Sequence, residues 1–331
     1  MENVFITGIS GFVGSHLAKE LIERGTDVTG LQHDIKKKSY LDLLDIKNKV
    51  NIVSGDIKDL KLLQRALVDY KIDWVFHLAA VSIVSKAIQY PINTYETNVF
   101  GTLALLEACR LIKNKPRALV ITSTDKVYGE CVNAKEDDKL DGFGIYESSK
   151  VNMDVISRAY YYAYSLPIVV TRACNIIGYD PQNSRIVPNT IKSMLKSKSP
   201  IIFEGEDTYR EYIHVDDVCD AYIKLAENIE KVKGKALNVG TGEVISQENL
   251  VLKIIEIGNE ILGKGIKPRY VKREVPLKEI KRQSLNSDKI RKLVGWKPKL
   301  SLDEGLRSTF REFVEKEFVE KEFVEKEEWE N

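Results

Sequence analysis

Short apolar runs rich in β-branched residues, at 3–7, 27–31, 51–56, 73–80 and 117–123, alternate along this chain with stretches of a different rhythm. In those stretches apolar side chains recur every three or four residues. The first pattern predicts buried parallel strands and the second predicts helices packed on them. Val13, Leu17 and Leu21 keep helical spacing, with Gly25 placed to end that helix. Residues 60–70, 95–112 and 146–164 read likewise, the second carrying a stripe of Val99, Leu103, Leu106 and Ala108. Strand and helix alternate to about residue 176, which predicts a Rossmann-type, doubly wound parallel sheet in the α/β class.

Beyond residue 178 the rhythm changes. Helices are expected at 186–196 and 216–228, a strand at 200–203, and a helix capped by Ser246 and running to Leu262. The chain therefore divides into a dinucleotide-binding domain at 1–177, a smaller C-terminal α/β lobe at 178–312 with interleaved segments, and an extension at 313–331. That extension repeats Phe-Val-Glu-Lys-Glu from Phe313, Phe318 and Phe323. A five-residue step turns about 140° on a helix, so the Phe-Val pairs spiral without forming one seam. A charged helical tail with no catalytic part is expected.

Composition narrows the class. Of 331 residues 43% are hydrophobic and 30% charged, and the net charge of +1 gives no basis for binding nucleic acid or a membrane surface. Cys109, Cys131, Cys174 and Cys219 are scattered and only four histidines are present, so no metal site is expected and reduced thiols are the default. With no leader and no long apolar run, the sequence reads as a soluble, cytoplasmic protein.

Gly8, Gly11 and Gly14 stand between the first strand and an amphipathic helix. Glycines there let the backbone approach a pyrophosphate held by the helix N-terminus, although the spacing G-x-x-G-x-x-G departs from G-x-G-x-x-G. After the second strand, where an acid would hold the adenosine ribose, stands Gln32, followed by His33, Asp34 and the run Lys36, Lys37, Lys38. An amide still accepts from a hydroxyl and does not repel a 2′-phosphate, so NAD and NADP both remain open. Asp56 either accepts from an adenine amino group or caps the helix after it. Ala79 and Ala80 are small enough for a cofactor to lie close, and His77 reads as a core histidine.

Tyr146 and Lys150 lie four apart, on one face at the start of a helix. An ammonium beside a phenol favours the phenolate, the form needed to take a hydroxyl proton. Ser123, Thr124, Asp125 and Lys126 follow a buried strand at the sheet end where ligands bind in open α/β folds. Asp125 and Lys126 form either an acid-base couple or a simple ion pair of neighbours.

These motifs, with Asn98-x-x-Gly101, Arg172 to Gly178, Arg210 to Asp217, Leu237 to Gly242 and Leu293 to Pro298, resemble the extended short-chain dehydrogenase/reductases of the NAD-dependent epimerase/dehydratase family, over about residues 1–312. The pair Asp125-Lys126 is similar to that of CDP-glucose 4,6-dehydratases and inverting UDP-N-acetylglucosamine dehydratases, whereas 210–217 reads like the epimerase version of its motif. The resemblance implies catalysis by Thr124, Asp125, Lys126, Tyr146 and Lys150. Cofactor contacts are implied from Gly8, Gly11, Phe12, Val13, Gly14, Gln32, Asp56, Ile57, Leu78, Ala79, Ala80 and Asn98, besides Tyr146 and Lys150. Substrate contacts are implied from Ser82, Thr124, Asn175, Arg185 and Arg210, the two arginines suiting a diphosphate.

The implied reaction begins with Tyr146 taking the proton of the sugar 4-hydroxyl, oriented by Thr124, while the C4 hydride goes to the nicotinamide. The C4 ketone acidifies C5–H, Lys126 removes that proton, Asp125 protonates the leaving C6 hydroxyl, and the hydride returns to C6. A 4-epimerase, re-reducing a rotated ketone, is the second expectation, and a cofactor-binding regulatory protein without turnover the third. A nucleoside-diphosphate hexose is the implied substrate, and the implied assembly is a homodimer through helices 95–112 and 146–165.

Overall fold

The computed structural model describes residues 2–33, 39–205, 208–272 and 280–329, with side chains to residue 316. Lys36, Lys37, Lys38 and Asp34 lie outside the described residues. Seven strands, β1 (Asn3–Thr7), β2 (Asp27–Gln32), β3 (Asn51–Ser54), β4 (Trp74–His77), β5 (Ala118–Thr124), β6 (Ile168–Ala173) and β7 (Ala236–Val239), form one parallel sheet. The order is β7-β6-β5-β4-β1-β2-β3, so it reverses direction between β1 and β4. That reversal opens a crevice at the carboxyl ends of the strands, where a ligand fits.

Helices cover both faces. On one side α2 (Leu60–Asp69), α3 (Gly101–Leu111) and α4 (Ile145–Tyr164) bury Leu63, Leu67, Leu105 and Met153 against Val75 and Leu119. On the other, α1 (Phe12–Glu23) and a later helix bury Leu17, Leu21, Val218 and Ala221 against Val4, Phe76 and Val120. Both faces of the sheet are thus dry, which is why β5 has all seven residues buried and its sequence shows a continuous apolar run rather than alternation.

Three local expectations change. The helix expected at 95–112 is three pieces, Pro91–Tyr95, a π-helical turn at Glu96–Phe100, and α3. Asn98 sits in the π turn, fully buried, and its amide reaches Val81 N at 2.8 Å and Ser149 Oγ at 2.9 Å. β4 ends at His77 and is shorter than the apolar run 73–80. The helix after β3 is capped by Asp59, which accepts from Leu62 N at 3.0 Å, and not by Asp56.

The second lobe contains α5 (Ile186–Leu195), α6 (Val215–Glu227), α7 (Gln247–Leu262) and α8 (Leu302–Trp329), with a three-stranded sheet of Asn175–Ile177, Tyr209–His214 and Val244–Ser246. Ser246 caps α7 by accepting from Asn249 N at 3.1 Å. β7 completes the first sheet, and α6 is the later helix lying beside α1, so the chain enters the second lobe, returns to the first and leaves it again. Phe313, the first aromatic of the repeat, is buried and packs edge-on against Tyr179 with ring centroids 4.9 Å apart, so the packed unit runs past residue 312. No helix among the described residues is long and apolar enough to cross a membrane.

A charged network seats α4. The fully buried guanidinium of Arg172 on β6 donates to Asp154 on α4 at 2.8 Å, to the Tyr128 hydroxyl at 2.7 Å and to the Glu136 carbonyl at 2.9 Å. The Tyr128 hydroxyl passes its own proton to Asn238 on β7 at 2.8 Å. Removing one partner strands the other charge in a dry interior, so Asp154→Ala is expected to destabilise the protein by about 3–5 kcal/mol. Chemical denaturation followed by circular dichroism measures this; a variant as stable as the parent contradicts it.

Candidate active site

The glycine turn is shaped by backbone contact. Gly8 has φ of 75°, and a Cβ there would stand 2.8 Å from the Ala79 nitrogen. At Gly14 a Cβ would run into the Gly8 carbonyl oxygen, whereas at Gly11 it would meet only that oxygen at 3.3 Å and otherwise project outward. Gly11 is the N-cap of α1 and supplies no side-chain acceptor, and the first turn carries no acidic residue. The N–H groups of Phe12, Val13 and Gly14 therefore face the crevice without intrahelical acceptors, as an anion requires.

Around this turn the structure gathers most of the expected cofactor residues. Leu78, Ala79 and Ala80 leave β4 against the glycine turn, Gln32 ends β2, and Ile57 packs on Gly101, whose Cβ would lie 2.6 Å from it. Asp56 is half exposed, 3.6 Å from the His33 ring and 3.7 Å from Lys58 Nζ. Asn98 bonds to Val81 and Ser149, which makes it a brace between the 78–83 segment and α4. Ser82 lies exposed in that segment. His77 is buried between Thr7 at 2.7 Å and Thr102 at 2.9 Å, and burial pushes it down to about 3, so it stays neutral in the core.

At the carboxyl end of β5, Thr124, Tyr146 and Lys150 are all buried and come together. Burial lifts Tyr146 to about 12; the Arg185 guanidinium opposes that rise, as does a hydrogen bond with Thr124. Lys150, one turn further along α4, makes a bond of its own. Lys150 Nζ donates to the Thr122 carbonyl at 2.9 Å, and burial lowers it from the ordinary 10.5 to about 7.

Asp125 is the most enclosed member of the group, 1% exposed. One of its oxygens accepts from the Thr124 hydroxyl at 2.9 Å and from Lys126 Nζ at 3.4 Å, while Oδ2 has no partner. Lys126 also donates to Asn175 Oδ1 at 3.3 Å, and its side chain is one-fifth exposed to the cleft. Asn175 is fixed in turn by the Glu211 carbonyl at 3.0 Å. Glu211 itself is buried and accepts from Gly242 N at 2.9 Å and Leu285 N at 2.7 Å; burial raises its carboxyl. The Ser123 hydroxyl is buried and unpartnered.

A dinucleotide fits these features. The bare helix N-terminus suits a pyrophosphate, and Lys150 has two donor positions beyond its single carbonyl. Among the described residues no cluster of His, Cys, Asp and Glu is arranged to hold a metal ion.

The two arginines differ. Arg185 is exposed at the N-cap of α5 and makes no hydrogen bond or ion pair with any described residue. Arg210 is largely buried, donating to the backbone carbonyls of Tyr209 at 3.0 Å, Lys281 at 3.2 Å and Ile280. A cavity of 680 Å³ opens between α5, the strand Ile201–Glu204 and α7, lined by Ser184, Ile186, Lys196, Phe203 and Gln247 among others. Its wall includes none of Thr124, Tyr146 or Lys150. Sequence reasoning missed Glu211 and Ser149 as braces, though both stand inside motifs that it quoted, and missed Tyr40 and Asp180, which no local pattern marks.

Comparison with known proteins gives a consistent picture. A family described as GDP-mannose 4,6 dehydratase matches residues 5–309. The dTDP-D-glucose 4,6-dehydratase of Dictyostelium discoideum is 30% identical over 282 residues, covering 78% of this chain and 62% of that relative. The chain spans only 47% of the length of other curated relatives that it matches. Among solved structures, dTDP-glucose 4,6-dehydratase from Bacillus anthracis in complex with NAD shares 26% identity at a TM-score of 0.82, covering 95% of this chain and 97% of that one. UDP-glucose 4-epimerase from Thermotoga maritima with UDP-glucose shares 27% at 0.83, covering 95% and 99%.

The buried lysine has a measurable consequence. Its folded-state value lies below its unfolded one, so between pH 7 and 10.5 the unfolded chain binds more protons and stability contributed by this group rises with pH. Replacing it by methionine removes that slope. The melting temperature of the parent relative to Lys150→Met is expected to rise steadily from pH 7 toward about 9.5; parallel curves for the two proteins contradict the depressed value.

Proposed function

The chain belongs to the NAD-dependent epimerase/dehydratase family of extended short-chain dehydrogenase/reductases, and from that premise we propose that it is a nucleotide-sugar 4,6-dehydratase using NAD. The observation that carries the reading is the placement of Asp125 and Lys126. A buried carboxyl touches the hydroxyl of Thr124, and an amine beside it faces the cleft.

Thr124 and Tyr146 would hold the 4-hydroxyl of the hexose, with Tyr146 receiving its proton. NAD, when bound, supplies the acceptor for the C4 hydride and the donor to C6. Gly8, Gly11 and the first turn of α1 would cradle its pyrophosphate, and Lys150 its nicotinamide ribose. Lys126 would take the C5 proton and return it to C5 as hydride reaches C6, while Asp125 would give one to the departing C6 oxygen and regain the proton that Tyr146 took from the 4-hydroxyl. Arg185 and Arg210 would face the diphosphate, Arg185 as a free guanidinium and Arg210 as a fixed positive wall.

A second reading has its own support. Lys126 shares its ammonium between Asp125 and Asn175, as a structural ion pair would, and a 4-epimerase needs no third acid-base group. Supplied with nucleoside-diphosphate hexoses, the protein is expected to release a product lighter by one water, whereas an epimerase leaves the mass unchanged. Lys126→Ala is expected to stop water loss while the absorbance of reduced nicotinamide still appears with substrate. Tyr146→Phe should lower turnover roughly a hundredfold to ten-thousandfold. Normal water loss by Lys126→Ala removes the assignment.

We also propose a homodimer, as the same premise suggests. Ile92 is 76% exposed, Phe100 60% and Tyr162 75%, on the helical segments beside α3 and on α4. Light scattering is expected to report twice the 37.6 kDa chain mass, and Phe100→Glu to shift the population toward a single chain. A parent protein of one chain mass contradicts this.

A further inference from the structure

Tyr40 and Asp180 are 140 residues apart and meet in the interior, the tyrosine hydroxyl donating to the carboxylate. Both are buried, at 5% and 3% exposure. Each belongs to a segment facing the crevice from a different side. Tyr40 opens the short helix Tyr40–Leu43, which follows the end of β2 and is locked by Ser39, whose N–H and hydroxyl both donate to Asp42 at 2.7 Å. Its ring lies 6.2 Å from that of Phe12, the first residue of α1 and part of the glycine turn. Phe12 in turn touches Gly178, where a Cβ would stand 3.0 Å from its ring.

Asp180 begins the loop that delivers Arg185 to the N-cap of α5. That loop is tied at several points. Asn183 N donates to the Asp180 carbonyl at 3.3 Å, Lys192 donates to the Asn183 and Pro181 carbonyls at 2.7 Å and 3.3 Å, and Asn189 donates to the Ser184 carbonyl at 2.7 Å. The loop is therefore tied to α5, and the Tyr40 hydroxyl bonds it to the first lobe. At its end stands Arg185, the N-cap of α5, close enough for its charge to act on Tyr40, Asp180 and Tyr146.

We propose that Tyr40 and Asp180 are positioning residues, a clasp between the lobes that holds Arg185 where the diphosphate of the nucleotide sugar binds. The proposal rests on the nucleotide-sugar reading above and adds to it residues that contact neither substrate nor cofactor. Without the clasp, the 180–185 loop keeps its internal bonds but loses its register against the glycine turn, and Arg185 goes with it. The effect is selective: the diphosphate on the second lobe loses its arginine, while the cofactor site on β1, α1 and α4 stays intact.

The test is a double-mutant cycle on the full chain loaded with NAD, titrated with UDP, dTDP, CDP and GDP by calorimetry. Tyr40→Phe is expected to weaken the nucleoside diphosphate that the parent binds best by roughly tenfold, since a bond to a charged group is lost. NAD affinity should stay within about twofold. Arg185→Ala should weaken the same ligand, and the double variant should bind no worse than Arg185→Ala alone, because Tyr40 acts through that arginine. Unchanged binding by Tyr40→Phe overturns the clasp and leaves the nucleotide-sugar reading standing. Losses that simply add, or a parallel loss of NAD affinity and melting temperature, make the contact a general staple and also overturn it. If the parent binds none of the four nucleotides, the nucleotide-sugar reading fails, and the clasp with it.

Discussion

The bond from the Lys150 ammonium to the Thr122 carbonyl, 2.9 Å long and closed to water, is the constraint to which the rest of this structure answers. A lysine with one acceptor in a dry site opposes folding, and burial drags it down to about 7. It is tolerated because the helix bearing it cannot leave. Arg172 grips Asp154 one turn further along α4, Asn98 grips Ser149 beside the lysine, and the apolar face of α4 is sealed against β5 and β6. The hydrophobic faces of the sheet thus hold in place a polar cluster that would not assemble in water.

The polar cluster was legible where its geometry is local. A four-residue spacing places Tyr146 and Lys150 on one turn, and an apolar run ending in Ser123-Thr124 marks the ligand end of a buried strand. The glycine turn was legible because its residues answer to steric demands that only glycine meets, as at Gly8. Contacts set by tertiary packing were not. Periodicity could not foretell that residues 96–100 take a π turn, because the gain comes from Val81 and Ser149, distant in sequence. Asp56 offered itself on paper as one possible cap, and helix geometry chose Asp59 instead. The Phe313 ring reads as part of a repeating tail and packs as core, because Tyr179 offers it an edge.

The interleaving of the lobes follows from strand order. β7 joins the first sheet only after the chain has built α5 and α6, so the second lobe cannot form independently of the first. Residues that face each other across the crevice therefore come from opposite ends of the sequence. Asn238 on β7 illustrates this: it binds Tyr128, the carbonyls of Ala134 and Asn286, and the carboxylate of Glu136, joining four segments near the end of β5.

The electrostatics of Tyr146 tie the two lobes together chemically. Its rise to about 12 is a desolvation effect, and the positive charge of Arg185 opposes it. On the proposed function that charge is shared, because a substrate diphosphate also draws on Arg185. Binding the diphosphate alone would weaken the hold of the guanidinium on the phenol, so the tyrosine would become a poorer proton acceptor as the substrate settled. The compensating charge must then come from the first lobe, where Lys150 is held neutral or charged within reach of ordinary pH and where the oxidised cofactor carries a positive ring. On the proposed function, proton abstraction would then be favoured when the cofactor site is filled as well.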